Sequence, residues 1–367
     1  MYMKKNRLLL LLLAATPIFN ACSDDDTDPV VPSASEKERI VVVCEGLMGM
    51  NNSTVAVISD SVVTNNWFGR INGTELGDTG NDIVMAGDTV MAIAVNGSNL
   101  IQYVGLSGCA IGATEEIPNV RRMALGGKYL YATSYANDGY VAKIDLATYA
   151  VVDTCNVGYE PEGIVYHEGL LYVCNTGGYA YLGSHGYEST VSVVDAETMK
   201  EVKRIETGCV NLCGQVSANG KYMCVGASGD YYLEPAATVV VDMESGDCKS
   251  FDFPATLSVA YGDKFYTIGT SYDANWVPVV SSHVISTTSL SAVEGLGEYA
   301  AAEESLSEIS APYGAYVSPV DGTLYIGDAR DYKSNGFVYA FGKDGSEKGK
   351  WEIEGVNPGH IISFGGK

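Results

Sequence analysis

The chain has 367 residues, of which 42 are glycine, and it carries 22 Lys and Arg against 45 Asp and Glu, for a formal net charge of −23. A surface this negative repels phosphate backbones, so the composition argues against a nucleic-acid-binding protein and against direct adsorption to anionic membranes. The length suits one closed β architecture as well as two smaller domains, and internal repeats must decide between them.

The first residues have the pattern of an export leader. Lys4, Lys5 and Arg7 precede the apolar run 8–15, which is too short to span a bilayer and predicts a cleaved export signal over residues 1–21. The segment 18–22 resembles a bacterial lipobox, which implies cleavage before Cys22 and acylation of its thiol. No later segment is apolar enough to span, so we expect membrane contact through the lipid anchor only.

Residues 22–38 are interpreted as a tether. The run Ser23-Asp24-Asp25-Asp26 resembles the acidic export tag of Bacteroidetes surface lipoproteins, which implies an outer-membrane protein facing the cell exterior. The alternative is the start of a solvated acidic linker. Residues 27–35 include two prolines and lack any periodic pattern, which predicts a flexible segment.

The remaining residues, 39–367, are predicted to form one domain, because a single unit recurs along them. Its clearest copy spans residues 160–208 and consists of four short apolar or alternating stretches bounded by Gly, Asn or Asp, the pattern of a four-stranded antiparallel meander. Asp145, Asp195 and Asp242 end the third strand of their units, where each carboxylate is expected to accept backbone N–H groups of the turn.

Seven units are present. Their first strands are predicted to begin near Asp82, Asn119, Pro161, Leu212, Thr256, Pro312 and Pro358. This spacing, about 40 to 55 residues, is typical of propeller blades. The last start has room for one strand only, and the stretch 39–44 opens in mid-unit. The sequence therefore predicts an all-β, seven-bladed β-propeller whose C-terminal strand completes the N-terminal blade, which removes two unpaired sheet edges.

The repeat also carries a family resemblance. The stretch Tyr172-Val173-Cys174-Asn175 resembles the Tyr-Val-Thr-Asn core of the YVTN, or YncE-like, propeller family, and residues 94–96 and 131–134 are degenerate copies. With the leader, the chain looks like the Bacteroidetes surface lipoproteins that include a vitamin B12-capturing propeller. The resemblance implies a small-molecule ligand, cobalamin first among the candidates, and an outer-membrane TonB-dependent transporter as partner.

The loops between second and third strands are long and aromatic, and in a propeller they crowd one face around the channel. Tyr and Trp supply flat contact area at low entropic cost, and the interleaved polar residues would orient a ligand. The alternative is that the rings pack loop against loop and stiffen this face. The candidate ligand-binding residues are Tyr135, Asn137, Tyr140, Tyr179, Tyr181, His185, Tyr187, Tyr231, Tyr232, Tyr272, Asn275, Trp276, Asp328, Arg330 and Tyr332.

Connectors between blades place five further residues near the channel rim: Asn81, Asn119, Arg121, Tyr159 and Glu160. Each such residue is more often structural than functional.

Catalysis is not expected. There are four histidines, of which His185 and His360 can face the channel, and His360 is interpreted as a strand-start residue. No nucleophile elbow, phosphate-binding loop or dinucleotide fingerprint is present. We therefore expect no catalytic residue, no metal and no cofactor. The alternatives to ligand capture are a protein-interaction platform in an envelope complex and, ranked last, a glycan or lactone hydrolase using paired channel carboxylates.

The eight cysteines other than Cys22 are expected to be mostly free and buried. Cys44, Cys174 and Cys224 lie inside apolar strand patterns, where a thiol behaves as a small hydrophobic group.

Overall fold

The computed structural model describes residues 37–272 and 277–366, except for the side chain of Tyr272, and places them in one compact unit. The predicted signal peptide, the lipidation site at Cys22, most of the tether, and the candidate residues Asn275 and Trp276 lie outside the described residues.

Strands make up most of the regular secondary structure of the described chain. It also has two short α-helices, α1 (Trp67–Asn72) and α2 (Ala300–Ser305), and two 3-10 turns, Ala136–Asp138 and Ala180–Leu182. The strands are β1 Arg39–Cys44, β2 Thr54–Ser59, β3 Val62–Thr64, β4 Gly80–Met85, β5 Val90–Val95, β6 Leu100–Gly105, β7 Ala110–Thr114, β8 Val120–Gly126, β9 Tyr129–Ser134, β10 Tyr140–Asp145, β11 Ala150–Asn156, β12 Pro161–His167, β13 Leu170–Asn175, β14 Thr190–Asp195, β15 Lys200–Glu206, β16 Ser217–Asn219, β17 Tyr222–Ala227, β18 Ala237–Asp242, β19 Cys248–Phe251, β20 Leu257–Tyr261, β21 Lys264–Tyr272, β22 Pro278–Ser286, β23 Ala292–Glu294, β24 Pro312–Val317, β25 Leu324–Asp328, β26 Phe337–Phe341, β27 Glu347–Glu352 and β28 Pro358–Phe364.

These strands form seven four-stranded antiparallel sheets, as predicted. Blade 1 is β28-β1-β2-β3, and blades 2 to 7 are consecutive groups of four from β4 to β27. The first strand of each blade, called here the inner strand, lies against the channel, and each inner strand packs against its neighbours around the ring, except between β12 and the short β16. The fold is a seven-bladed β-propeller.

The C-terminal strand closes the ring, as the sequence predicted. β28 pairs antiparallel with β1 over six positions, from Arg39 opposite Phe364 to Cys44 opposite Pro358. Because β1 also pairs with β2 on its other side, the first blade is built from both ends of the described chain.

Successive side chains of one strand point to opposite faces of the sheet and pack against the two neighbouring blades. The strands are therefore apolar on both faces. In β13, Leu171 and Val173 pack toward blade 3, whereas Tyr172 and Cys174 pack toward blade 5. Asn175 ends the strand: its Nδ2 donates to Thr190 Oγ1 and Ser192 Oγ, both at 2.9 Å, and its Oδ1 accepts from Gly158 N–H at 3.1 Å. In the motif 172–175, the first three residues therefore pack between blades, and Asn175 ends the strand.

The aspartates that end third strands cap turns as predicted. Asp195 Oδ1 accepts from Glu197 and Thr198 N–H at 3.2 and 2.7 Å, and Asp145 and Asp242 accept N–H groups in the same way. In the described residues each pair of adjacent blades shares one buried hydrophobic cluster.

Blade 5 departs from the predicted pattern. Its inner strand begins at Ser217 rather than near Leu212. The preceding stretch bonds irregularly, with Gly214 N–H donating to Gly226 O and Gln215 N–H to Thr256 O. A side chain at Gly214 would collide with the Ala255 carbonyl, so the close passage of the next connector prevents an ordinary ladder here.

The eight described cysteines carry free thiols, with Cys44, Cys155, Cys174 and Cys224 buried and the other four half-buried. Over residues 37–272 and 277–366, no helix is long and apolar enough to cross a membrane.

Ring closure predicts unequal effects of two C-terminal truncations. Removing residues 358–367 takes away the inner strand of blade 1 and exposes the apolar faces of β1, so the cooperative thermal transition should be lost or its midpoint lowered by at least about 10 °C. Removing only 365–367 should leave the midpoint unchanged in differential scanning calorimetry. Equal midpoints for the two truncations would contradict the closure.

Candidate functional site

Five inner strands carry one extra residue at the end that faces the channel mouth. The ladder skips one position in β4, β8, β12, β24 and β28 relative to the second strand of the same blade. A β-bulge of this kind re-aims side chains and recurs beside functional sites. Here it lets consecutive residues line the channel together: Asn81 and Asp82, Arg121 and Arg122, and Gly359 and His360.

The bulged ends surround a cavity of about 780 Å³ at the channel mouth, and every blade contributes to its lining. The bulged blades 1, 2, 3, 4 and 7 supply the charged side chains and every phenolic side chain in the lining except Tyr231. Blades 5 and 6 have no bulge in their inner strands and supply an uncharged wall. That wall consists of Cys213, Gln215, Val216, Tyr231, Thr256, Leu257 and Thr270.

Glu162 is the centre of the charged half. Its carboxylate is 2% exposed and forms a bidentate pair with Arg121, with Nε to Oε2 at 2.8 Å and Nη2 to Oε1 at 3.0 Å. Arg122 Nε lies 3.2 Å from the same Oε1, and the Tyr135 hydroxyl donates to Oε2. Arg121 Nη1 also donates to Asn81 Oδ1 at 3.0 Å. One carboxylate therefore holds two guanidinium groups from adjacent residues.

A second network joins blades 1, 3 and 7. His360 Nε2 lies 3.0 Å from Glu45 Oε1, and Arg122 Nη1 lies 3.0 Å from His360 Nδ1. A ring protonated at Nε2 satisfies both contacts, donating to Glu45 and accepting from Arg122. The Tyr313 hydroxyl donates to Glu45 Oε2 at 2.6 Å. His360 is thus a channel residue with two charged partners as well as the third residue of its strand.

These surroundings shift the pKa values of the three acidic side chains in different directions. Burial would raise the pKa of Glu162, but the charges of Arg121 and Arg122 outweigh it and lower the pKa to about 2. Burial likewise opposes the lowering of the Glu45 pKa, which His360 and Tyr313 bring about. Burial dominates at Asp82 and raises its pKa, despite N–H donation from Ile83 and Met123.

A row of aromatic rings in contact leads from Arg121, at the bottom of the cavity, to the exposed rim. The Arg121 guanidinium lies 4.7 Å from the Tyr135 ring centroid, Tyr135 meets Tyr179 edge-on at 5.5 Å, and Tyr179 meets Tyr181 at 6.3 Å. Tyr181 is 72% exposed. Beside it, His185 stacks on Tyr159 with centroids 4.0 Å apart. These ring contacts therefore fix the loop between β13 and β14 of blade 4 against the channel and the rim.

Two further tyrosines project into the cavity from the loops of blades 5 and 7. Tyr231 and Tyr332 line it with backbone φ of 65° and 60°, a left-handed conformation that bulky residues rarely adopt. Asp230 Oδ1 accepts three N–H groups of its own loop at 2.8 Å, and Asp331 accepts two more, so both loops are clamped. Each ring meets another edge-on: Tyr187 for Tyr231 and Tyr313 for Tyr332.

The structure does not bring all the predicted site residues to the channel. Asn137 and Tyr140 line a second cavity of about 440 Å³ between blades 2 and 3. Asp328 is buried, and its Oδ1 accepts from Ala311 and Arg330 N–H, both at 2.9 Å, which is a turn-capping role. The Arg330 guanidinium lies over the Phe337 ring, 5.2 Å from its centroid.

Other predicted residues reach the rim without lining the channel cavity. Tyr232 is 93% exposed at a loop tip. His185 Nε2 lies 3.3 Å from the buried Glu160 carboxylate, which also accepts from Tyr179 N–H. For Tyr272 the structure describes only the main chain, which pairs with Pro278.

Sequence reasoning named Asn81 and Arg121 at the rim, but it missed the residues that complete the networks. These are Glu45, Asp82, Arg122, Glu162 and Tyr313. Their common signal is position: with the exception of Glu45, each stands just inside the start of an inner strand. Aligning the seven starts would have shown that polar residues recur there. Over the described part of the chain, no group of three or more His, Cys, Asp or Glu residues is arranged to hold a metal ion.

Comparison with known proteins extends to the fold only. No family model and no curated protein sequence matches the chain. A solved quinonprotein alcohol dehydrogenase-like protein from Bacteroides thetaiotaomicron is similar at a TM-score of 0.62 and 13% identity, covering 88% of this chain and 77% of that one. Kuenenia stuttgartiensis hydrazine synthase is similar at 0.58 and 17%, covering 72% and 77%. The computationally designed Ika8 protein is similar at 0.55 and 9%, covering 88% and 92%.

The low pKa of Glu162 gives a pH-dependent prediction. A carboxyl whose pKa is lower in the folded than in the unfolded chain stabilises the fold above its unfolded pKa and loses that contribution as the pH falls through the folded value. Glu162→Gln should therefore lower the free energy of unfolding by about 3 kcal/mol at neutral pH. The difference from the parent protein should shrink steadily between about pH 5 and pH 2.

Urea denaturation across that pH range measures this difference. The exposed carboxyl of Glu206 provides the control, because Glu206→Gln should change stability little at any pH. A Glu162→Gln difference that does not vary with pH would contradict the pairing described.

Proposed function

We propose that the protein captures a small ligand at the channel mouth and does not transform it. The observation that carries this proposal is the cavity of about 780 Å³, in which Tyr135, Tyr231, Tyr313 and Tyr332 stand over a polar floor. Cavities of roughly 300 to 1,000 Å³ with aromatic walls and a few convergent polar groups are typical of small-molecule sites.

The loop tyrosines favour ligand binding over a purely structural role, because their backbones are fixed while their rings stay exposed. Tyr231 is 69% exposed and Tyr332 50% exposed, although Asp230 and Asp331 clamp their backbones. Rings ordered before the ligand arrives lose little entropy on binding, which favours affinity.

A corrinoid such as vitamin B12 is the ligand we put forward first, with hand-over to an outer-membrane TonB-dependent transporter. Support for this choice comes from the resemblance of the repeat and the leader to the YncE-like surface lipoproteins. The exposed rings of Tyr231 and Tyr332 offer flat contact area to the part of such a ligand that stays outside the cavity.

Titration with cyanocobalamin tests the proposal. We expect saturable heat in isothermal titration calorimetry, and Tyr231→Ala should weaken the complex roughly tenfold, since a buried aromatic anchor contributes about 1 to 2 kcal/mol. Tyr232→Ala is the matched control: the ring is next in sequence to Tyr231 but does not line the cavity, so the affinity should stay unchanged. Absence of heat at millimolar cyanocobalamin would exclude the corrinoid, and equal losses in the two neighbouring variants would place binding elsewhere.

A protein-interaction platform is the second candidate, and the exposed loop tips favour it. Tyr181, Leu182, Tyr232 and Leu233 are 65 to 93% exposed on the loops of the adjacent blades 4 and 5. Under this candidate, Tyr232→Ser with Leu233→Ser would abolish recovery of a fixed partner from membranes, while any ligand affinity would persist.

We also propose that acyl chains on Cys22 anchor the protein to the outer membrane with the propeller outside the cell. Cys22→Ser should move the protein from the membrane fraction to the soluble fraction, because the chains provide the anchor. Replacing Asp24, Asp25 and Asp26 by Ala should retain the membrane fraction but remove accessibility to protease added to intact cells. Unchanged fractionation of Cys22→Ser would contradict the anchor.

A further inference from the structure

We propose that the channel site selects electrically neutral ligands and rejects anionic ones, and that Glu162 is the residue that determines this selectivity. The inference rests on the proposed capture function and adds the chemical class of the ligand group that enters the channel. That group would be an uncharged hydrogen-bonding function such as a primary amide or a hydroxyl.

The first step is charge pairing. Two adjacent arginines at a channel mouth would ordinarily suggest a carboxylate or phosphate ligand, because a guanidinium group binds both in bidentate geometry. In this structure the bidentate partner is already present, since Glu162 occupies Nε and Nη2 of Arg121 and lies 3.2 Å from Nε of Arg122.

The second step is the cost of displacing that partner. The Glu162 side chain is 2% exposed, so an anion that took both arginines would leave a buried carboxylate that keeps the Tyr135 hydroxyl as a donor but has lost both cations. A buried charge that loses its partner is strongly destabilising, and this cost opposes any anion in the channel. The chain's net charge of −23 adds a long-range repulsion of the same sign.

The third step is what the site still offers. Each arginine side chain is 23% exposed and lines the cavity, so a neutral ligand group can approach it from the channel. The opposite wall, from Cys213 to Thr270, carries no charge. A ligand group that donates and accepts hydrogen bonds without a net charge matches this divided channel, because it disturbs no ion pair.

Titration with inorganic phosphate at constant ionic strength tests the inference without knowledge of the natural ligand. We expect no saturable shift of the Arg121 and Arg122 Nε–Hε signals in the NMR spectrum of the parent protein at millimolar phosphate. In Glu162→Gln the same titration should saturate, with an affinity at least roughly tenfold higher, because both guanidinium groups lose their carboxylate. Glu160→Gln is the matched control: it neutralises a buried glutamate on the same face that contacts His185 instead of an arginine, and it should behave like the parent.

Glu162→Ser is the second variant, for the case that Glu162→Gln does not fold, and it should gain the same phosphate site. Saturable phosphate binding by the parent protein that is lost in Arg121→Gln would overturn the inference, as would folded Glu162 variants that gain no phosphate affinity. Neither outcome depends on cyanocobalamin. A failed corrinoid titration with these phosphate results intact would therefore refute the proposed ligand and leave the selectivity standing.

Discussion

The site depends on one extra residue in each of five inner strands. An ordinary strand sends neighbouring side chains to opposite faces, but the bulges of β8 and β4 let Arg121 and Arg122, and Asn81 and Asp82, face the channel together. Charges crowded into a narrow channel must be paired, because water no longer screens them fully. Glu162, brought in by a third bulge, meets that requirement for both arginines.

The paired charges at the channel floor also fix the position of the aromatic rim, because Tyr135 contacts both. The Glu162 carboxylate accepts a hydrogen bond from the Tyr135 hydroxyl. The Arg121 guanidinium packs on the face of the Tyr135 ring, and the Tyr179 ring packs against Tyr135 edge-on. The floor and the first recognition loop are therefore one assembly. The loops of blades 5 and 7 are held independently by Asp230 and Asp331, so the aromatic surface is ordered on both sides of the channel.

The sequence was sufficient for features with a fixed period or a local signature. Strand alternation, turn aspartates such as Asp195 and the lone C-terminal strand predicted seven blades and their closure. Bulges have no such signature, because they are a matter of register between two strands. Without them, Arg122 and Glu162 looked like residues of any strand start, and Asp328 could not be told apart from a ligand-binding carboxylate. The blade 5 strand was placed too early because the close approach at Gly214 is a tertiary contact.

The most direct measurement is the identity of whatever the protein carries when isolated from its own cells. The protein would be purified without added ligand and denatured, and the released small molecules would be identified by mass spectrometry. The account predicts one uncharged hydrogen-bonding compound in near-stoichiometric amount, which is lost when Tyr231 is replaced by Ala and retained when Tyr232 is. Release of a compound with a net negative charge would contradict it.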